Sequence, residues 1–445
     1  MTFPAYPQYK DSGIESLGEI PSHWDVTRLP YVIFENNAGE VIDKNFWGDG
    51  SELLYTCAKQ PLLSDFRDFP ARKRTGANDL LLTRNGTPYV HLPSEGAIYS
   101  NVVQRVSLIP GIDRKFMRSA LDVATRDLVG YGVSIASFNY EMWAALRIPL
   151  PDYEEQTQIA RFLDHETARI DALIEEQQRL IELLKEKRQA VISHAVTKGL
   201  DPKVPMKDSG VEWLGEVPAN WAIKRLKQLV IDATGIQMGP FGGMLLELNE
   251  SDTGYKVFGQ ENTISGNFSS GNRWISEQRY FALSNYHLEV GDIVLTRKGS
   301  LGNCRRVSFL PQAGIIDSDT IRVRAKEQMM SPDYLELLLH EAGYISTQLG
   351  LVKRGAILSG LNSEIIANLV IAAPPLKEQE ELLREIKAVL SRFDQGISDC
   401  DYAIGLLRER RSALISAAVT GKIDVRGWQP PPSTQAPKPA VAEAV

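Results

Sequence analysis

The chain has 445 residues, 43% of them hydrophobic, and a formal charge of −7 at neutral pH. About two to four domains fit that length, no apolar run approaches the ~18 residues of a membrane span, and the acid excess argues against a generic basic coat for nucleic acid while leaving room for local basic patches. Cys57, Cys304 and Cys400 lie far apart and form no C-x-x-C, so neither zinc nor a disulfide framework is indicated; the N-terminus, MTFPAYPQYKDSG, lacks the basic-then-apolar order of a secretory signal, and together these features read as a cytoplasmic protein.

Residues 10–29, KDSGIESLGEIPSHWDVTRL, return without gaps at 207–226 as KDSGVEWLGEVPANWAIKRL. Such an internal repeat sets the architecture before any local propensity does. Strand-like runs follow the first head at Asp79–Thr83 and 101–109, bounded by Gly, Pro and Asn. Pro149 and Pro151 then precede a proline-free stretch, 155–197, that aligns without gaps to 378–420. Apolar residues fall at Ile159, Leu163, Ile170, Leu173, Leu180, Leu184, Val191 and Ala195, and in the second copy at Leu382, Ile386, Phe393, Ala403, Leu407, Leu414 and Ala418. Spacings that mix three, four and seven are those of a coiled-coil seam. After the second head come strand-like runs at 292–296 and 320–324. A helix is predicted over 332–349, with Ser331 as N-cap and Pro332 as first helical residue. The octapeptides DLLLTRNG at 79–86 and DIVLTRKG at 292–299 mark one strand exit in two copies. Gly396 and Gly405 weaken the second long helix locally, and the Pro/Ala-rich stretch 427–445 is expected to be disordered.

Each long helix measures roughly 65 Å at ~1.5 Å per residue. The globular segment between them, with a radius of gyration of roughly 15 Å, hands the chain back without carrying it to the far end. The helices are therefore expected to run antiparallel, with two related units at opposite ends and a pseudo-twofold axis across the rod. The end of helix two should lie beside the first head and mimic the covalent junction between Thr197 and Lys207. The expected fold is α+β: recognition domains at 1–150 and 203–372, long helices at 151–202 and 373–425, and a tail at 426–445. Two similar heads with divergent middles on one rod suit a duplex, whose half-sites recur on one face every ~34 Å.

The D-S-G-[IV]-E-x-L-G-E-[IV]-P-x-x-W head, the P-x-x-x-E-Q start of a long helix and the closing A-V-T-x-G resemble the specificity subunit of type I restriction–modification systems. The resemblance covers nearly the whole chain apart from the C-terminal tail. It implies a non-catalytic subunit that binds a bipartite DNA site, one half per recognition domain. It also implies recruitment of two adenine methyltransferase subunits using S-adenosylmethionine, and of restriction subunits that use ATP and Mg. The sequence is consistent with that division: it holds no G-x-x-x-x-G-K-[ST] loop, no [DN]-P-P-[YFW] tetrapeptide and no metal spacing among its six histidines. A nuclease or methyltransferase sited in the divergent middles, and a scaffold without DNA specificity, are the competing classes.

Arginine and lysine chelate guanine edges or hold phosphate, and Asn and Gln chelate adenine. On that chemistry the first unit offers Arg72, Lys73, Arg74, Arg84, Asn85 and Thr87, with Arg84-Asn85 at the repeated strand exit. The second offers Arg297, Lys298 and Ser300, then Arg305 and Arg306. It also offers Gln237 and Gly239 in the glycine-rich loop 235–243, where a missing Cβ lets backbone approach a phosphate. For each group the competing reading is a solvated loop or an ordinary turn. Asn36-Asn37-Ala38-Gly39 matches that loop poorly, and no role is transferred to it. Trp24 and Trp221 read as buried anchors, and the charges between Glu175 and Arg188 as a solvated face.

Overall fold

The computed structural model describes residues 3–15, 17–130, 138–245, 254–297, 303–355 and 360–431, with backbone alone at 126–130 and 351–355. The chain forms two compact units, Met1–Gln177 with Asp401–Val445, and Gln178–Cys400. Both boundaries fall inside the long helices, so each unit takes a piece of both.

The first unit opens with a hairpin, Tyr9–Asp11 against Glu19–Pro21. Strand Asp25–Arg28 then pairs antiparallel with Arg147–Leu150, the strand that leads to the first long helix. Between them lies a four-stranded sheet in the order Ile33–Ala38, Val103–Leu108, Asp79–Thr83, Val90–His91. A smaller sheet sets Trp47–Tyr55 between Leu62–Ser64 and, in parallel, Ile98–Tyr99. Helix Arg114–Gly130 covers the larger sheet. Trp24, Phe116, Phe138, Trp143, Ile159 and Phe162 pack in its main core, closed by Ala418, Val419 and Val425 from the chain's last described stretch.

The second unit repeats this plan strand for strand. Its hairpin joins Met206–Asp208 to Glu216–Pro218, and Ala222–Arg225 pairs with Val370–Ala373. The four-stranded sheet runs Ile236–Met238, Thr320–Val323, Ile293–Thr296, Cys304–Arg306. The three-stranded sheet centres on Tyr255–Phe258, flanked by Trp274–Ile275 and, in parallel, Gly314–Ile316. The divergent middles therefore share one topology. The predicted strands stand at 103–108, 293–296 and 320–323, trimmed by a residue or two at their ends. The helix expected over 332–349 is instead two, Pro332–Glu341 and Gly343–Gly355, because Ala342 takes an extended conformation. Ser331 caps the first as expected, accepting from the Tyr334 N–H.

The first long helix is Tyr153–Lys198 and the second Leu376–Val419, unbroken through Gly396 and Gly405. Within the first unit Gln158 reaches the carbonyls of Val425 and Trp428, while Asp171 pairs with Arg411 at 2.9 Å. Advancing along one helix thus means retreating along the other. The second unit repeats this with Arg188 on Asp394 at 3.2 Å and Ile192 and Val196 clustered with Ile386 and Leu382. The helices are antiparallel in both units.

In the middle of the first helix, from 166 to 188, the less exposed positions are 166, 167, 170, 174, 177, 181, 184 and 188, and their repeat equivalents from 389 to 411 follow almost the same course. From 170 these alternate steps of four and three, the spacing of a paired-helix seam, in a register that includes Leu184 but lies one residue beyond Leu173 and Leu180. Ile181 is accordingly buried, whereas Leu173 and Leu180, expected in the seam, face outward. Gly427 and Trp428, placed by composition in the tail, are among the described residues. The Trp428 ring lies edge-on to Phe162, with centroids 5.3 Å apart.

Candidate nucleic-acid interface

The repeated Glu-Gln pair at each helix start fixes how a unit sits on its rod. Glu155 accepts from the Tyr6 hydroxyl at 2.7 Å and contacts His23 Nε2 at 2.8 Å. Burial and that carboxylate push the Tyr6 phenol's pKa upward. Glu378 plays the same part, accepting from Trp221 Nε1 at 2.8 Å and Asn220 Nδ2 at 2.9 Å. Gln156 donates to Pro151 O at 2.8 Å and accepts from the Asp113 N–H at 2.9 Å. Gln379 repeats both bonds with Pro374 O and the Ser331 N–H, each at 2.8 Å. The glutamine thereby ties its own helix to the start of the helix that covers the sheet. Trp24 and Trp221 are fully buried beneath the heads.

The junction between head and helix end is also duplicated. Lys198 Nζ donates to Glu216 O at 2.6 Å in the second unit, and Lys422 Nζ to the equivalent Glu19 O at 2.7 Å in the first. In the first unit no peptide bond makes this join. The Asp424 N–H donates to Pro4 O at 2.7 Å, and the Arg426 guanidinium lies 5.0 Å from the Tyr6 ring centre.

The candidate contacts lie around the four-stranded sheets. Of the three cations at 72–74, Arg72 is exposed. Lys73 is tied to Glu40 at 2.6 Å, and Arg74 forks onto Glu52 at 2.7 and 3.1 Å. That hydrogen bonding holds the Glu52 carboxyl below its usual range. Arg105, buried in the central strand, donates to the carbonyls of Arg72 and Arg74 at 3.4 and 3.0 Å and anchors the segment there. Asn85 and Thr87 stand exposed on the turn after Asp79–Thr83, with Gly86 at φ 72°. Arg84 is half-buried and donates to Asn101 O at 3.2 Å. Both candidate segments of the first unit thus flank the strand Val103–Leu108.

The second unit places Arg297 as Arg84's counterpart. It donates to Ser318 O at 3.3 Å and Leu361 O at 3.0 Å, and its guanidinium lies 4.9 Å from the Phe241 ring centre. Gln237 sits in the edge strand, its amide donating to Met238 O at 2.9 Å. Gly239 owes its missing Cβ to an internal contact, because that atom would fall 1.8 Å from Asp317 O. Arg305 and Arg306 are half-buried on the far edge strand. Arg306 faces Asp333 at 3.4 Å, and the Arg305 side chain would lie 3.4 Å from a Cβ on Gly266. Lys298 and Ser300 lie outside the described residues.

Three equivalences escape sequence reading. Gly39 and Gly239 occupy one site, each N–H donating to the first residue of the central strand. Arg105 and Arg322 share the central-strand position opposite Leu81 and Val294. Asp171–Arg411 and Asp394–Arg188 are the same ion pair made twice with the helices exchanged. The constant offsets of the repeat would have found the last of these. Among the described residues no group of three or more His, Cys, Asp or Glu side chains is placed to hold a metal, and no helix is long and apolar enough to cross a membrane.

The fold has counterparts among solved structures. A chain from the structure describing complex assembly and conformational transition of the type I R-M system is 16% identical, with a TM-score of 0.67 over 90% of this chain and 98% of that one. The HsdS subunit from Thermoanaerobacter tengcongensis, also 16% identical, gives 0.51 over 91% and 98%. The chain thus shares the fold of these two, a duplicated α+β architecture.

Sequence relatives narrow this. The type I restriction enzyme EcoKI specificity subunit of Escherichia coli K12 is 24% identical over 76% of this chain and 71% of its own length. The MjaVIII specificity subunit of Methanocaldococcus jannaschii is 22% identical over 94% and 97%. No protein-family model matches the sequence. The chain is a homologue of the specificity subunits of type I restriction–modification systems.

Proposed function

We propose that this chain is the non-catalytic, cytoplasmic DNA-reading subunit of a type I restriction–modification complex. Each globular unit reads one half of a bipartite duplex target, and the paired helices set the spacer. Two adenine methyltransferase subunits and the restriction subunits dock on it and bring S-adenosylmethionine, ATP and Mg with them. One observation carries the reading: two units repeat a topology strand for strand, yet differ in the sequence that follows the shared strand, Arg84-Asn85 in one and Arg297-Lys298 in the other. Common scaffolding with unlike exits suits two readers of unlike sequence, since base contacts specify while the frame positions.

The test is a footprint of the assembled complex together with the methylation motif it writes. Two protected segments with an unread gap are expected, and the purified chain alone should neither transfer methyl groups nor cleave. A single continuous footprint, or activity of the chain without partners, overturns the proposal.

A further inference from the structure

In both units the edge strand of the four-stranded sheet ends in one device. Gly39 and Gly239 lie so close to the carbonyls of Ser100 and Asp317 that a Cβ would come within 2.2 and 1.8 Å of them. Each glycine N–H donates to the central strand, to Val103 O at 3.1 Å and Thr320 O at 3.0 Å. Two residues on, an apolar side chain stands out in solvent: Val41 is 78% exposed and Phe241 46%.

The arginines of the strand exits hold the same turns, through Asn101 O in one unit and Ser318 O in the other. The Asn101 N–H donates in turn to Glu40 O at 2.7 Å, so Val41 is one peptide away from the turn that Arg84 fixes. In the second unit Arg297 lies directly over the Phe241 ring. Arg279 fastens the loop beyond by donating to Gly243 O at 2.7 Å and Met244 O at 3.0 Å.

A lone exposed apolar side chain needs no explanation. This pair stands at one structural position in two units that otherwise diverge, on backbone with no slack. We infer that Val41 and Phe241 are the apolar base contacts of the two units, with Arg84 and Arg297 as positioning residues behind them. Valine methyls and a phenyl edge recognise the thymine C5-methyl group or press against a base step, where Asn85 and the cations supply polar contacts. The inference rests on the DNA-reading function proposed above.

The experiment uses the full chain assembled with its methyltransferase subunits and carrying Phe241→Ala or Val41→Ser. Each complex is titrated with its target duplex, with single-pair substitutions in one half-site at a time, and with unrelated DNA, across a range of salt. Phe241→Ala should lower target affinity roughly tenfold, the scale of one lost base contact. Affinity for unrelated DNA and the salt slope should not move, because no phosphate contact is lost. Discrimination should relax in one half-site, and Val41→Ser should relax the other. Phe241→Leu keeps an apolar surface and should retain most of the affinity, which separates lost contact from lost fold. Variants that bind and discriminate like the wild type, or a single variant that relaxes both half-sites, overturn the inference. A wild-type complex that treats target and unrelated DNA alike would instead remove the functional reading beneath it.

Discussion

His91 is a buried imidazole held by one hydrogen bond, Nε2 to Thr56 O at 3.2 Å, between the rings of Tyr55 and Tyr89. Burial lowers its pKa from 6.5 to about 4. The unfolded chain therefore takes up the proton first. This contribution to stability is complete above pH 6.5 and is lost as pH falls toward 4, on the order of 3 kcal/mol by linkage. Thermal unfolding followed from pH 7 to pH 4 should decline less steeply for His91→Phe than for wild type; parallel slopes would show that the group titrates normally. The same scale shows what a linear sequence hides. The run Arg72-Lys73-Arg74 reads as one basic patch, yet Glu40 and Glu52 take two of the three charges into internal pairs. Those carboxylates lie more than twenty residues upstream, so no local pattern announces them. Gly239 was legible as a position needing no Cβ. What crowds it is Asp317 O, brought there by strand pairing.

At the scale of elements, the two copies of one ion pair differ in support. Arg411 meets Asp171 on an open surface, with side chains 35% and 54% exposed. Arg188 meets Asp394 and also forks onto Glu341 at 2.8 and 2.8 Å, at the end of helix Pro332–Glu341. Arg188→Ala should cost about 2 kcal/mol, in the range for charged hydrogen bonds, and Arg411→Ala less than about 1 kcal/mol, as read by chemical unfolding. Arg188 holds the Glu341 carboxyl below its usual range. Its contribution is thus present above the ordinary carboxylate pKa and is lost as pH falls through the lowered value, and the Arg188→Ala deficit should shrink with it. Gly405 has nothing within 4 Å of where a Cβ would stand, whereas Gly396 would bring one to 3.4 Å from Leu184. Gly405→Ala should therefore stabilise the second long helix by about 0.5–1 kcal/mol; a lower melting temperature would contradict this. The long helices were fully legible, because a repeat and an absence of proline speak over forty residues. The break at Ala342 was not, since apolar periodicity continues across it and only Gly343 hints at a fresh start.

At the scale of the whole molecule, heads and helices were visible as repeats, while the shared topology of the middles was not. A sheet needs only inward apolar residues at period two, so Val-Gln-Arg-Val and Thr-Ile-Arg-Val fill one strand position, alike only in Arg105 and Arg322 and in the valine that follows each. The proposed function makes the helices a ruler. Inserting one heptad within 170–190 should lengthen the unread spacer in the methylation motif and leave both half-sites unchanged; an unaltered spacer would defeat that role. Exchanging residues 30–148 for those of a relative should change one half-site alone.

The first unit is completed by residues from beyond position 400, with Ile415, Ala418, Val419 and Val425 buried against Trp24, Ile159 and Phe162. Domains emerging from a ribosome ordinarily fold in the order they are made. Here the first unit's core stays open until the residues after 400 have emerged, while the second unit, continuous from 178 to 400, can close before it. A premature stop within 401–419 would thus spare the second unit and strand the first with its apolar interior bare, a ready client for chaperones and proteases.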